Sequence, residues 1–283
     1  MIMHDIYYIN SQMERIGFNE WPYMLTGGNL FDGEYDEIEE SDHIQGFERG
    51  IQDRSLNIDI NAITEFDFVN AINRLEEVTE KDIVNMQSGK LYVGNSYLKC
   101  WITGTSKDRW INGVGGISNS LLIKTDYPYW ITEENYSFSK SDESTESLKC
   151  LEYPYEYPYE YTKVRNIRYI NNNNFTESGF RMIIYGPCIN PLIRISGHVY
   201  ELKTTLYDGE YAVIDSSTRY SKDRKIIKVK VDGTEESLYN SRNKESEIWK
   251  KIPPGRSIVS WNGDFGFDII LFNERGTPRW ISQ

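Results

Sequence analysis

The first half of the chain begins its regular structure with an alternation of apolar and polar residues. In residues 54–64, Leu56, Ile58 and Ile60 alternate with polar side chains at a period of two. This period predicts a β-strand that buries one face and leaves the other in water. The alternation stops where a helical repeat begins, so strand and helix follow each other directly.

The helical repeat has a start signal at Thr64. Thr64 is a favourable N-cap, and Asp67 forms a weak capping box with it, since Glu or Gln three residues after the cap is stronger. The apolar stripe that follows has helical spacing and consists of Phe68, Val69, Ile72 and Leu75. The stripe is expected to pack on a sheet, and the helix is expected to end near Gly89.

Two further β regions complete the first half. Residues 90–104 predict a hairpin, because Gly94 and Asn95 form a turn signal between two apolar segments. Residues 110–134 contain a glycine-rich bend and then a strand that ends at Trp130.

The second half predicts β-structure throughout. Alternating segments separated by turn residues lie at 179–188, 191–202, 209–220 and 225–233. The second of these segments is interrupted at Gly197. Residues 257–274 predict a hairpin with a turn at Asn262 and Gly263, and a rigid Pro-Gly turn at 252–257 precedes it. Short strands at this spacing favour a β-sandwich.

A composition change indicates where one domain ends and the next begins. A chain of 283 residues accommodates two cores. Residues 136–150 are rich in Ser and Glu without periodicity, which is typical of a linker. The predicted fold class is therefore mainly β with one short helix, as a first domain at residues 1–135 and a β-sandwich at residues 151–283.

A repeat of tyrosine and proline, LEYPYEYPYEYT, opens the second domain at residues 151–162. Its prolines are four residues apart, which is not the PxxP spacing of an SH3 ligand. Each proline biases the tyrosine before it toward extended geometry, so the segment is stiff. We interpret it as an interdomain strap, with a docking motif for a partner as the alternative. The strap residues are Tyr153, Pro154, Tyr155, Tyr157, Pro158 and Tyr159.

The negative charge of the chain lies entirely in its first half. The net charge is −12, but residues 1–150 carry 26 acids against 12 bases, which leaves −14, and the remainder carries +2. The stretch at 31–42 holds seven acids and no base, which predicts a solvated loop or sheet edge. Ordinary solubility explains such a stretch, and so does a surface that must not hold a polyanion. The seven acids are Asp32, Glu34, Asp36, Glu37, Glu39, Glu40 and Asp42.

Candidate chemistry is sparse. Cys100, Cys150 and Cys188 are widely spaced and odd in number, which argues against a disulfide framework and favours buried thiols. The chain has no CxxC, HExxH, GxSxG or phosphate-loop motif, so we predict no metal, no cofactor and no catalytic residues. It shows neither a secretory signal nor an apolar run of membrane-spanning length, which favours use in the cytoplasm or in an assembly built there.

Several stretches, taken in order, resemble one family. In the first half they are WPYML (21–25), FERG (47–50), GKLYVGNSYLKCWI (89–102) and YPYWITEE (127–134). In the second half they are YPYEYPYEY, IIYGPCINPLIRISGHVYEL (183–202), GEYAVIDS (209–216), IPPGRSIVSW (252–261) and the closing Pro278, Arg279 and Trp280. Together they are similar to the distal tail protein of siphovirus-type bacteriophages. The resemblance covers nearly the whole chain, although each stretch alone consists of packing and turn residues.

The resemblance implies a structural virion protein of the tail tip, assembled in the host cytoplasm. Its first domain would form a ring, usually a hexamer, and its second would be a galectin-like sandwich. Implied partners are the tail tube protein, the tape measure protein, the tail-associated spike or lysin, and receptor-binding or baseplate proteins. DNA would pass through the ring without specific binding, and some of the seven acids would then give the channel a negative field that repels phosphates.

Three alternatives stay open from sequence. A carbohydrate-binding adhesin would be a monomer with sugar affinity, yet His198 lacks the HxNxR pattern of galectins and Trp261 is better interpreted as a core or turn aromatic. A phage-tail-like bacteriocin without a genome would use the same hub. A glycosidase is not excluded by counting carboxylates, although a lone acid in an acidic protein is usually solvated.

Overall fold

A computed structural model describes residues 5–107, 116–140, 166–216 and 224–278. The described chain is mainly β with one α-helix, as predicted. It divides into two compact units: one runs to Thr132 and includes the residues from Glu274 onward, and the other runs from Glu133 to Asn273. The division therefore falls slightly before the predicted linker. The described residues from Glu274 to Pro278 lie in the first unit, and the domain bounds of 1–135 and 151–283 stay a prediction.

Within the described residues the first unit contains nine strands, the helix and the first part of a tenth strand, whose residues from Glu133 lie in the second unit. In chain order these elements are β1 (Ile6–Ile9), β2 (Arg15–Gly17), β3 (Tyr23–Gly28), β4 (Asp36–Glu40), β5 (His43–Glu48), β6 (Gln52–Asn61), α1 (Glu65–Val84), β7 (Gly89–Val93), β8 (Ser96–Lys107), β9 (Gly116–Thr125) and β10 (Trp130–Phe138). Antiparallel pairing gives the orders β2-β1-β7-β8-β10 and β3-β6-β9-β8. Strand β8 belongs to both orders and changes register between Ile102 and Gly104.

The strand through Leu56, Ile58 and Ile60 and the hairpin at 90–104 are confirmed, whereas the strand predicted to end at Trp130 is wrong, since β9 ends at Thr125 and β10 begins at Trp130. Leu56, Ile58 and Ile60 of β6 are buried and share one core with the inward residues of β8 and β9. Strands β7 and β8 form the predicted hairpin, and Gly94 in its turn has a φ of +56°. Cys100 is buried in the same core, and burial raises the pKa of its thiol to about 12.

Helix α1 starts where the sequence indicated. The side chain of Thr64 accepts a hydrogen bond from the backbone N–H of Asp67 at 3.1 Å. The buried stripe consists of Phe68, Ala71, Leu75, Val78, Thr79 and Asp82. Val69 was predicted to belong to it and does not, since it is 46% exposed; one residue beyond Phe68 is a rotation of about 100° around the helix. No helix among the described residues is long and apolar enough to cross a membrane.

The described part of the second unit is built from short antiparallel strands. After the end of β10 they are β11 (Asn166–Asn172), β12 (Gly179–Tyr185), β13 (Cys188–Ile189), β14 (Leu192–Ile195), β15 (His198–Glu201), β16 (Thr205–Leu206), β17 (Tyr211–Asp215), β18 (Lys225–Val229), β19 (Glu235–Ser237), β20 (Gly255–Trp261) and β21 (Phe267–Arg275). One sheet has the order β11-β20-β14-β15 and a second contains β19-β18-β17-β12-β21. Inward residues of both sheets share one apolar core.

Two predictions for this unit are wrong in detail. Residues 191–202 form a hairpin of β14 and β15 rather than one interrupted strand, because Ser196 and Gly197 both have positive φ and reverse the chain. Strands β20 and β21 do not pair with each other: β20 pairs with β11 and β14, and β21 pairs with β12. The turn at Asn262 and Gly263 therefore carries the chain from one sheet to the other.

A shielded ion pair in the second unit should make its stability depend on pH. Lys228 donates to Glu210 at 2.6 Å, and both side chains are only 10% exposed. The hydrogen bond from Lys228, followed by that from the N–H of Tyr207, holds the pKa of Glu210 below its ordinary value of 4.5. Stability from this pair is thus present above about pH 4.5 and is lost as the pH falls through the lowered pKa.

We therefore expect Glu210→Gln to lower the melting temperature at pH 7 and to converge with the wild type as the pH approaches 3. Thermal melts of both proteins across this range provide the measurement. Glu245→Gln is the matched control, because Glu245 is an exposed carboxylate of the same unit. A deficit of Glu210→Gln that is constant with pH would contradict the assigned ion pair.

Candidate interaction surfaces

The acidic stretch forms a β-hairpin. Strands β4 and β5 pair only with each other within the described residues, so both are sheet edges. Ser41 and Asp42 at the tip have φ values of +52° and +65°, the pattern of a type I′ turn. Residues 32–45 are all exposed, as expected for a solvated segment. Of the two possibilities left by the sequence, the edge is the one observed for Asp36–Glu40.

The hairpin has two unlike faces. Cross-strand partners share a face, and alternate residues along a strand point to opposite faces. The aromatic face, as we name it, consists of Tyr35, Glu37, Glu39, Ile44 and Phe47. The acidic face consists of Asp36, Ile38, Glu40, His43 and Glu48. On the aromatic face Phe47 is 61% exposed, and its ring lies edge-on to that of Tyr35 with 6.5 Å between centroids.

The structure brings some of the seven predicted acids together. Asp32, Glu34 and Asp36 line a cleft of about 590 Å³ at the base of the hairpin, beside Asp53 and Arg54. Among the described residues none of the seven forms an ion pair, and no group of three or more His, Cys, Asp or Glu is placed to hold a metal ion. Their charge is therefore directed to solvent or to a partner.

A buried arginine fixes the base of the hairpin. Arg49 is 3% exposed, and its guanidinium carbon lies 4.1 Å from the ring centroid of Tyr35. It donates to the carbonyl oxygens of Pro128 at 2.9 Å and Gly276 at 3.1 Å. Nothing in the local sequence pattern marks Arg49 as buried, because its partners are 79 and 227 residues away in the chain.

A second surface lies around the N-terminal end of α1. It is a cleft of about 550 Å³, here called the α1 cleft, lined by Arg15, Ile16, Gly17, Glu20, Trp21, Pro22, Tyr23, Asp67, Asn70, Ala71 and Arg74. Trp21 is 61% exposed, although large aromatic residues are usually covered. The hydroxyl of Tyr23 donates to the carbonyl of Ala71 at 2.7 Å, which ties β3 to the helix. On α1, Phe66 and Val69 are 74% and 46% exposed.

The two arginines of the α1 cleft differ in their partners. Arg15 binds Glu20 through two hydrogen bonds of 3.0 and 2.5 Å, and this contact lowers the pKa of Glu20. Arg74 contacts the carbonyl of Arg15 at 3.4 Å and has no carboxylate within 4.0 Å among the described residues. The cleft thus offers one cation that is not neutralised by an ion pair. Sequence reasoning missed this surface, since an isolated Trp carries no periodic signal.

Other predicted positions give no further site. Tyr153, Pro154, Tyr155, Tyr157, Pro158 and Tyr159 of the strap lie outside the described residues, as does Cys150. Trp261 is 4% exposed and donates to the carbonyl of Phe265 at 3.0 Å, so its prediction as a core aromatic is confirmed. A ring so covered does not offer a stacking platform to a sugar.

Comparison with solved structures identifies the fold. The SPP1 Dit protein, described as a paradigm of the hub adsorption apparatus in Gram-positive-infecting phages, matches with a TM-score of 0.58 at 7% identity over 97% of this chain and 100% of its own. The phage P2 baseplate in its activated conformation with Ca matches with a TM-score of 0.61 at 10% identity over 98% of this chain and 100% of that chain.

The same baseplate with Sr matches with a TM-score of 0.61 at 10% identity over 97% of this chain and 99% of that chain. No family model and no curated protein matches the chain by sequence. The resemblance to distal tail proteins is therefore confirmed at the level of the fold, and it covers both units.

Proposed function

We propose that this chain is a structural protein of a phage tail tip, a hub that joins the tail tube to the adsorption apparatus. The observation that carries the proposal is the likeness to SPP1 Dit and the P2 baseplate, which extends over 97–98% of this chain and 99–100% of those chains. A likeness limited to one β-sandwich would not distinguish a hub from other β-rich proteins. The location would be the virion tail tip, and the role would not be enzymatic.

The first unit would form a ring, and six copies would surround a central channel. Its half of the sequence has a net charge of −14, and the seven acids of residues 31–42 form no ion pair within the described structure. A negatively charged wall repels phosphates. It has no basic side chains that would neutralise them and release their counterions, so DNA slides through without binding. This supports a channel to which Asp32, Glu34, Asp36, Glu40 and Asp42 contribute.

The second unit, a galectin-like sandwich in this proposal, would face outward. Its half of the sequence has a net charge of +2, which suits protein partners more than a channel lining. The proposed partners are the tail tube protein and the tape measure protein above the ring, and the tail-associated spike or lysin below it. Receptor-binding or other baseplate proteins would attach to the outward domain.

The test of the proposal is the mass and shape of the purified full-length protein. Six chains of 33.1 kDa give a closed ring of about 200 kDa. Mass photometry should show this species, and negative-stain images should show a ring with a central hole. A monomer that binds sugar, or a native particle whose tail tip lacks this ring, would refute the proposal.

A further inference from the structure

We propose that the aromatic face of the hairpin docks into the α1 cleft of a neighbouring copy of this chain. This inference rests on the proposed ring and names the two surfaces that close it. It involves Tyr35, Glu37, Glu39, Ile44 and Phe47 on one copy. On the next copy it involves Trp21 and Arg74, which line the cleft.

The hairpin cannot fill the cleft of its own chain, because the two lie at opposite ends of β6. The base of the hairpin is attached at Gln52, whose side chain donates to the carbonyl of Glu34 at 2.6 Å. The cleft is attached at Asn61, whose N–H donates to the carbonyl of Pro22 at 3.0 Å. At about 3.3 Å per residue, the two ends of β6 are about 30 Å apart. Strand β4 has five residues and spans only about 17 Å.

The two surfaces expose apolar side chains, and their burial would favour association. A two-stranded hairpin alone in water is marginally stable, and here its apolar side chains are not buried by the chain itself. Phe47, Ile44 and Tyr35 are 61%, 55% and 51% exposed on one surface. Trp21 is 61% exposed on the other. Contact between the two would remove both sets from water, which is the main favourable term in association.

Charge selects this pairing over a contact between two identical surfaces. Glu37 and Glu39 lie on the aromatic face among its apolar side chains. Arg74 is the cation of the α1 cleft without a carboxylate partner in the described structure. Two hairpins in contact would bring four carboxylates together, which is unfavourable, whereas the cleft lining is balanced, with Arg15 and Arg74 against Glu20 and Asp67, and offers Glu37 and Glu39 a cation in Arg74.

The proposed contact is heterologous, because it joins one surface of a copy to a different surface of the next copy. Each copy then presents one hairpin to the copy ahead and one cleft to the copy behind, and repetition of this step gives a closed ring when the rotation permits. The acidic face of the hairpin is left free by this contact. Its carboxylates remain available to the channel, so the docking and the channel lining use different faces of one element.

The experiment is a charge swap in the full-length protein, followed by mass photometry over a range of protein concentrations. The double variant Glu37→Lys with Glu39→Lys and the single variant Arg74→Glu should each weaken assembly by about tenfold or more. One chain that carries all three substitutions should recover most of the loss, since every interface then again joins opposite charges. Glu40→Lys with Glu48→Lys is the matched control, because it makes the same charge change on the acidic face and should leave assembly unchanged.

The outcomes separate this pairing from the ring itself. Thermal melts of every variant verify folding, and the substituted side chains are exposed or at the surface of the cleft. If all variants form the wild-type ring, or if the triple variant assembles no better than its parents, the pairing is overturned while the ring stands. If the wild type stays monomeric at every concentration, both the ring and the pairing are overturned.

Discussion

Replacement of Asp32, Glu34, Glu40 and Asp42 by lysine is expected to make the ring bind DNA, which the wild-type ring should not do. These four acids are exposed and outside the aromatic face of the hairpin, so the substitutions should not disturb the proposed docking. Each substitution shifts the local charge by two, and six copies repeat it around the ring. If the lysines engage about six to ten phosphates, affinity should fall about 10³- to 10⁵-fold between 50 and 200 mM salt. The measurement is binding of a labelled duplex to the assembled ring at a series of salt concentrations.

The topology of the DNA tests whether these positions face the channel. A linear duplex can thread a closed ring, whereas a covalently closed circle cannot enter it. Lysines in the channel should therefore hold linear DNA and leave circular DNA of the same sequence free. Equal binding of both forms would place the acids on the outer rim and contradict the channel assignment. A second control carries the same number of lysines at Glu65, Glu77, Glu235 and Glu245, and it should show no preference for linear DNA.

The regular elements that could be predicted from the sequence are those that bury one face. Local sequence patterns suffice to identify β6 and α1. These patterns are the alternation of Leu56, Ile58 and Ile60 and the N-cap at Thr64. The prediction that β20 and β21 pair with each other was wrong for the opposite reason, because it depends on distant parts of the chain. Asn262 and Gly263 give a valid turn signal, but the partners of the flanking strands are distant segments that no local pattern encodes.

The candidate surfaces were only half visible in the sequence. The acids of residues 31–42 are conspicuous as a run of one charge, and their exposure follows from it. Phe47 and Ile44 look like buried strand residues, and only the structure reveals that the chain leaves them exposed. The sequence likewise does not predict that Arg49 is buried or that Arg74 lacks an ion pair, because both properties depend on residues that are distant in the chain. The resemblance to a family predicted the ring but did not name the residues that would close it.

Removal of the buried carboxylate of Asp82 should be among the most damaging single substitutions in the first unit. Asp82 is 0% exposed near the end of α1. Its carboxylate accepts a hydrogen bond from the hydroxyl of Tyr8 at 2.5 Å and one from the N–H of Ser11 at 2.7 Å. Burial raises the pKa of Tyr8, so that its hydroxyl keeps its proton and acts as a donor. The pair of contacts joins the helix to β1 and to the turn that follows it.

The hydrogen-bonded pair of Tyr8 and Asp82 leaves no room for a side chain at Gly89. A Cβ at Gly89 would lie 2.2 Å from the hydroxyl oxygen of Tyr8 and 2.6 Å from the carboxylate of Asp82. Glycine therefore stands at this position because the hydrogen-bonded pair occupies the space of a side chain. Truncation of Asp82 removes the acceptor of both donors, and the hydroxyl of Tyr8 then has only the carbonyl of Cys100, at 3.4 Å, within reach.

We expect Asp82→Ala to lower the free energy of unfolding by about 3–5 kcal/mol, because two charge-assisted hydrogen bonds are lost, the N–H of Ser11 loses its acceptor and the hydroxyl of Tyr8 keeps only the 3.4 Å contact with the carbonyl of Cys100. Tyr8→Phe should cost less, because the N–H of Ser11 still serves the carboxylate, and a double-mutant cycle should show coupling between the two residues of about 1.5–3 kcal/mol. Glu80→Ala, an exposed carboxylate two residues away on α1, should stay within about 0.5 kcal/mol of the wild type. Urea denaturation gives these energies, and hydrogen exchange of the α1 amides localises the loss. If Asp82→Ala behaves like Glu80→Ala, the carboxylate does not hold the helix to β1, and the attachment of α1 depends on other contacts, such as the hydrogen bond from Tyr23 to the carbonyl of Ala71.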